Sequence, residues 1–359
     1  MTIMEFPKLN ENFFKGRGAQ INPFNPFHDK NYIQEHIEGL DEEMLEDRET
    51  LFFTENAKKV VNKVESPDAA MVYSVNPYQG CEHGCVYCYA RNTHNYWGFS
   101  AGLDFETRII IKHNAPELLE KVFIDPKWTA APISFSGNTD CYQPIERKMK
   151  ITRKLIEVCL KYKNPASIIT KNQLILRDID ILEALAKEDL THVFLSITSL
   201  KEDIRQKMEP RTATYKARLK TIEKLAAVGI PVGVMIGPVI PGLTDSEIPD
   251  IIKAAADHGA STAGFNMLRL NGAVDKIFTD WIWKTFPMYA ERVINNTKAV
   301  HQGNLNDSRW GVRMRGDGEL ANVIHQMFYM MKEKYMGKNV PFKYDLTKFR
   351  RPGQLKLEF

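Results

Sequence analysis

The chain has no apolar run near the roughly 20 residues that a membrane span requires, so no part of it is expected in a bilayer. Met1 to Asn10 lacks a basic stretch followed by an apolar one, and no secretory leader is expected. Cysteines are few: there are five, an odd number, and three of them lie between positions 81 and 88. That pattern excludes a disulfide framework and points to a metal or redox site in a reducing compartment, which makes a cytoplasmic setting the expectation. Excess charge is also scarce, at +3, so the totals make no electrostatic case for nucleic acid and any such case must come from local patches. No G-x-G-x-x-G follows the first strand-like run and there is no P-loop, which removes support from nucleotide-binding doubly wound folds. No internal repeat or low-complexity segment is seen.

What remains is an ordinary globular composition, 43% hydrophobic and 26% charged, in 359 residues. It suits about two domains, or one large α/β barrel with extensions. Residues 1–65 read as an N-terminal extension, with Gly/Pro-punctuated aromatic stretches at Lys15 to Ala19 and Asn22 to Phe27, and an acidic run from Glu38 to Glu49. Residues 66–300 read as the core, and residues 301–359 as a C-terminal extension with a basic end.

Within the core, strand-like and helix-like segments alternate. Strands are expected at Met71–Val75, Pro132–Ser136, Ser167–Thr170, His192–Thr198, Pro231–Ile236 and Thr262–Leu270. Helices are expected from about Ile145, where Leu155, Ile156, Cys159 and Leu160 share a face, over Ile179–Lys187, and over Tyr215–Val228 with Gly229 as its C′ residue. Thr244 and Glu247 match a capping box opening a further helix, and Met288–Val300 is helix-like. Short apolar strands separated by helices predict a parallel sheet covered on both faces. Polar clusters follow several strands, as they do where a barrel carries its site at the C-terminal strand ends. The predicted fold class is therefore α/β.

The most specific stretch is Tyr78-Gln-Gly-Cys-Glu-His-Gly-Cys-Val-Tyr-Cys-Tyr-Ala-Arg91. Cys81, Cys85 and Cys88 can converge on one centre only if the backbone curls tightly, which Gly80 and Gly84 permit. Three thiolates make a poor closed zinc site, which takes four ligands, although His83 offers a fourth at awkward spacing. Thiolates also hold iron–sulfur clusters, and a [4Fe-4S] cube on three cysteines leaves one iron open. From the residues alone both the cubane and zinc stay open, the cubane favoured.

Cys81-x3-Cys85-x-Tyr87-Cys88 resembles the C-x3-C-x-Φ-C signature of the radical SAM superfamily, with Tyr87 in the aromatic position. The wider run from Ser74 to Arg91, with Gly102-Leu-Asp-Phe-Glu106, Gly137-Asn-Thr-Asp140, Tyr142-Gln-Pro-Ile-Glu146, Thr170-Lys171, Glu209-Pro-Arg211, Pro238 to Asp245 and Asn306-Asp-Ser-Arg309, looks like its spore photoproduct lyase-related branch. The resemblance implies a partial (β/α)6 TIM-type barrel whose [4Fe-4S] cluster, in the loop after the first strand, binds S-adenosyl-L-methionine at the open iron. It implies an enzyme that cleaves this cofactor reductively, so that a 5′-deoxyadenosyl radical abstracts hydrogen from a substrate. It also implies an electron donor such as flavodoxin or ferredoxin. The substrate is not specified, and the branch name admits nucleic acid.

On this resemblance Cys81, Cys85 and Cys88 hold the metal. Tyr87 and Tyr89 flank the cluster and the adenine. Thr139 and Asp140 offer acceptors to the methionine ammonium, although Asp140 equally suits a helix cap with Gln143. Lys171 pairs with the methionine carboxylate, Ser196 bonds the same group or the ribose, and Arg211 is a further carboxylate ligand. Tyr89 and Cys141 are the catalytic candidates, Cys141 because a thiol near the radical is a competent hydrogen donor; relatives carry proline in its place. Cys159, Met235 and Met267 read as core. The basic run Arg205, Lys207, Arg211, Lys216, Arg218 and Lys220 reads as a solvated face, and Arg309, Arg313 and Arg315 as a place for an anionic group. The rival reading is a zinc- or cluster-bearing nucleic-acid-binding protein without radical activity.

Overall fold

The computed structural model describes residues 14, 16–27, 49–69, 71–337 and 342–351. The acidic residues 38–48 fall outside them. Among the described residues ten strands are formed: β1 Leu51–Glu55, β2 Val61–Lys63, β3 Tyr73–Val75, β4 Tyr78–Gln79, β5 Arg108–Lys112, β6 Ile133–Phe135, β7 Ala166–Thr170, β8 Thr191–Ser196, β9 Val232–Val239 and β10 Thr262–Met267. The main sheet runs β10-β9-β8-β7-β6-β3-β2. Its six strands β3 and β6 to β10 are all parallel, and β2 joins β3 antiparallel at the edge. The sheet does not close on itself, so the structure is an open, partial barrel of mixed α/β class. A second small sheet, β1-β5-β4, pairs β1 with β5 in parallel and β4 with β5 antiparallel.

All six expected parallel strands form. β6 to β10 are each followed by helix, whereas β3 runs into β4 and the cysteine loop. Helix Ile151–Tyr162 buries Leu155, Ile156 and Cys159 against the sheet, helix Ile179–Ala186 buries Leu182 and Leu185, and helix Ile248–Asp257 buries Ile251 and Ile252. These meet Val75, Phe135, Ile168, Val193, Leu195, Val234 and Ile236 in one core. Each such side chain removed from water contributes about 1.5–3 kcal/mol, and Cys159 and Met267 are core as read.

Helix Tyr215–Ala227 has its N-terminus capped by Thr214, whose hydroxyl accepts from the Ala217 amide at 3.2 Å. At its other end Gly229 (φ 80°) donates to the Ala226 carbonyl and Ile230 to the Leu225 carbonyl, a Schellman closure. The expected capping box at Thr244 does not form. The Thr244 hydroxyl instead accepts from the Ile240 amide at 3.0 Å, and the Glu247 carboxylate reaches back to the Ser199 hydroxyl and the Leu200 amide. The turn after β9 thus takes the groups that an isolated helix would have used for itself.

A second core holds the site in place. Cys85, Val86 and Tyr87 pack with Met208, Leu268, Leu270 and with Val274, Phe278 and Trp281 of helix Val274–Thr285. The opposite edge of the sheet is covered by residues 342–351. Tyr344 bonds His192 at the start of β8 (2.7 Å), the Asp345 amide donates to Asp189, and the Arg350 amide donates to Tyr162.

Candidate metal centre at the C-terminal strand ends

Because the six strands are parallel, the residues that follow β3, β6, β7, β8 and β10 emerge on one edge. The cysteine loop leaves β4 through Gly80 (φ 75°) and turns again at Gly84 (φ 68°). A Cβ on Gly80 would meet the Arg108 carbonyl oxygen at 2.8 Å, and one on Gly84 the Glu106 carboxylate at 2.7 Å, so both sign of φ and space demand glycine. Cys81 and Cys85 are buried and Cys88 partly exposed, all three as free thiols. Burial pushes the Cys81 thiol well up, and the neighbouring Asp140 and the other two cysteines add to it. Cys85 is pushed to about 12 by burial, with Lys171 pulling the other way.

The loop is gripped by groups distant in sequence. Gln143 accepts from the Glu82 amide (3.0 Å) and donates to the Gly80 carbonyl (3.1 Å), bracketing Cys81. The Glu82 carboxylate accepts from the Ile145 amide at 2.7 Å. The Cys81 amide donates to the Phe105 carbonyl at 2.8 Å, and the Val86 amide to the Met208 carbonyl at 3.1 Å. Arg91 donates through Nε to the Cys85 carbonyl (2.9 Å) and forms a fully buried ion pair with Glu106 (2.5 Å). The same carboxylate accepts from the Gly18 and Ala19 amides at 3.0 and 2.7 Å, which lays the N-terminal segment over the loop. Gly18 passes so close that a Cβ there would stand 1.7 Å from the Gly84 carbonyl oxygen.

His83, the one fourth-ligand candidate, is turned elsewhere. Its Nδ1 lies 3.4 Å from Asp140 and its Nε2 3.2 Å from the Asn172 side-chain nitrogen. Asp140 is saturated: it accepts from the Tyr142 amide and Thr170 hydroxyl on one oxygen, and from the Lys171 amide on the other, which also faces His83. Burial alone would raise its carboxyl; the His83 imidazole and these bonds hold it at about 2. The cap with Gln143 is not formed, since that side chain serves the cysteine loop. Thr139 donates its hydroxyl to the Tyr78 carbonyl at 2.7 Å.

The Lys171 ammonium reaches toward the loop, 5.9 Å from the Tyr87 ring centroid. Burial pulls its pKa down, but Cys85 and Glu209 outweigh that and leave it raised. Ser196 closes β8, buried, with its carbonyl held by Arg218 at 2.8 Å. Tyr89, half exposed, donates its hydroxyl to the Gly137 carbonyl at 2.7 Å. Arg211 lies on the outer side of the loop, paired with Glu82 at 3.3 Å. Cys141 is fully buried in the main core with Tyr78 and Tyr142.

One group was not legible as part of the site. Glu209 is fully buried and accepts from Tyr87 Oη, from the Thr198 hydroxyl (2.8 Å) and from Arg218 (2.5 Å). Burial alone would raise its carboxyl, yet Arg218 and Lys171 hold it at about 2. Arg218 and Arg205, expected on a solvated face, are buried; Arg205 bonds Glu202 and the Glu209 carbonyl. The only sequence signal was the Glu209-Pro-Arg211 turn.

Fold and site together define an open parallel α/β barrel protein with a three-cysteine loop at the C-terminal strand ends. Residues 75–255 match the model of the Radical SAM superfamily, and the chain belongs to that superfamily. An uncharacterized protein of Mycobacterium tuberculosis is 32% identical over 240 residues, covering 66% of this chain and 70% of the relative. An uncharacterized protein of Methanocaldococcus jannaschii is 32% identical over 196 residues, covering 53% and 68%. Among solved structures, spore photoproduct lyase complexed with dinucleoside spore photoproduct superposes with a TM-score of 0.57 at 17% identity, covering 80% of each chain. A variant of that lyase with bound AdoMet and the dinucleoside gives 0.56 at 18% identity over 77% of each. At this identity the likeness is one of fold, and in that sense the chain is spore photoproduct lyase-related.

Proposed function

We propose that Cys81, Cys85 and Cys88 hold a [4Fe-4S] cluster that binds S-adenosyl-L-methionine, and that the protein uses the pair for radical chemistry on a substrate seated at the same edge of the sheet. The observation that carries this reading is the donor set. Three cysteines stand in a single loop, and the imidazole within that loop, His83, faces Asp140 and Asn172. Such a set favours a polynuclear cluster with one open position over a four-ligand zinc site. Held by Cys81, Cys85 and Cys88, such a cluster would supply one-electron reductive cleavage of S-adenosylmethionine to the site.

The chain's own residues would do the positioning. Lys171 supplies a fixed positive charge for the methionine carboxylate, and the Ser196 hydroxyl a neutral partner for it or for the ribose. Tyr87, its hydroxyl tied to Glu209, presents an immobile ring beside Cys85. Thr139 keeps acceptor capacity for an ammonium, whereas Asp140 has its oxygens committed and acts by joining the ends of β6 and β7 to His83. Arg211 is drawn to Glu82 and contributes from outside the loop. Tyr89 is better placed than Cys141 to meet a substrate, since Cys141 has no exposed surface.

The lyase captured with a dinucleoside photoproduct makes nucleic acid the first substrate class to test. A reducing, cytoplasmic setting and a one-electron donor of flavodoxin or ferredoxin type complete the reading. Among the described residues no helix is long and apolar enough to cross a membrane. The test is anaerobic reconstitution, followed by iron and sulfide determination and 5′-deoxyadenosine release on reduction. Cys85→Ala is expected to lose that release. Protein that takes up zinc alone and never cleaves the cofactor would establish the rival reading of a metal-bearing nucleic-acid-binding protein.

A further inference from the structure

The segment that carries Arg309, Arg313 and Arg315 is tacked against the end of β10: the Met267 amide donates to the Met314 carbonyl and the Leu270 amide to the Leu305 carbonyl, both at 2.9 Å. Two of these three arginines, Arg309 and Arg313, are committed to carboxylates, and Arg315 is exposed to solvent. Arg309 is forked onto Asp307 (3.1 and 2.6 Å) and faces Asp317 at 3.4 Å. Arg313 donates to Asp68 and Ser66 (2.6 and 2.7 Å) and lies 3.6 Å over the Trp310 ring. Arg315 bonds the Tyr329 hydroxyl at 3.3 Å.

Arg269, which had no assigned role, is different. It lies two residues beyond β10, on the edge of the sheet that bears the cysteine loop, Lys171 and Ser196. It is half-buried, and among the described residues no carboxylate lies within ion-pair distance of it. Its guanidinium makes one long bond there, Nη1 to the Asp307 carbonyl at 3.4 Å. The two acids whose charge it feels, Asp68 and Asp307, are already bonded to Arg313 and Arg309. Burial disfavours its charge, and Arg313 adds to that by repulsion. A guanidinium has five N–H donors and cannot give up its proton in a protein. Held half out of water against a like charge, it would be satisfied by an oxyanion taken in two parallel bonds.

We propose that Arg269 anchors an anionic group of the substrate, a phosphodiester or carboxylate oxyanion, at the strand-end edge of the sheet beyond β10. That this anion belongs to the substrate rests on the radical reading above; the binding itself does not. The full chain is titrated calorimetrically at low ionic strength, where exposed charges are least screened. The probes are thymidylyl-thymidine, its uncharged methylphosphonate analogue, inorganic phosphate and acetate. The phosphodiester, or else acetate in the carboxylate arm, is expected to bind roughly tenfold or more tightly than the neutral analogue. Arg269→Gln should remove that discrimination while its unfolding curve matches the parent's, and Arg269→Lys should restore part of it. If the parent does not discriminate by charge, or Arg269→Gln still does, Arg269 merely tethers the 305–318 segment through Asp307 and the proposal fails. None of these titrations needs cofactor cleavage, so failure of the cleavage assay and failure of this one are separate results.

Discussion

Glu209→Gln removes one charge from the most enclosed polar group of the site while keeping its shape. The carboxylate is fully buried, so nothing from solvent can replace what it does for Arg218, whose own side chain is buried at 2.5 Å. Removing one partner of such a pair strands the other and costs roughly 3–5 kcal/mol. The carboxyl pKa gives an independent figure: from 4.5 to about 2 is worth about 3 kcal/mol of folding free energy at neutral pH. The sign follows from the direction. A carboxyl depressed in the folded state contributes fully above its unfolded value and loses that contribution as pH falls from about 4.5 towards 2. Urea unfolding of parent and variant, followed by circular dichroism at pH 7 and pH 3, should therefore show a gap of about 3 kcal/mol that shrinks by more than half on acidification. A gap below about 1 kcal/mol at neutral pH would refute the reasoning, as the buried cations would then be satisfied without Glu209. So would a gap that acid leaves unchanged.

Gly18→Ala would drive a methyl group into the Gly84 carbonyl, a backbone atom that no rotamer change can move aside. The N-terminal segment should lift off and forfeit its two amide bonds to Glu106, about 3–6 kcal/mol for bonds to a charged acceptor. Limited proteolysis should then cut near Arg17, and a protease-resistant variant of parental stability would count against the clamp. Gln143→Ala leaves the Glu82 amide and Gly80 carbonyl without their partner, at about 2–4 kcal/mol for the two. Less iron should be retained per chain after reconstitution and desalting, whereas full retention would mean that Cys81 is held well enough by Phe105.

The parallel strands were legible because they are short apolar runs closed by polar residues, and both features survive in one dimension. β9 is longer than its apolar run and β10 shorter, since the bulge between Phe265 and Met267 and the bond from Leu268 to Val239 are tertiary facts. Charged residues were misread for the same reason. Arg218 and Arg205 have the spacing of a solvated helical face, and charged side chains are rarely buried without partners. Glu209, from the preceding turn, is the partner that reverses the expectation. Asp140 could be seen to follow a strand, but not that His83, Thr170 and Lys171 would converge on it.

The cysteine spacing announces a metal and conceals how the loop is shaped. Its peptide groups are held by Gln143, Phe105, Met208 and Arg91, which come from four separate segments, its Glu82 carboxylate by the Ile145 amide, and Arg91 is itself fixed by Glu106 under Gly18. A loop restrained from so many sides keeps its curl whether or not a guest is bound, so the ordering cost is met in folding and not in binding. Substitutions in those remote groups should therefore weaken metal retention without touching a thiol. The residues that make this a good site are for that reason mostly not the ones whose chemistry announced it.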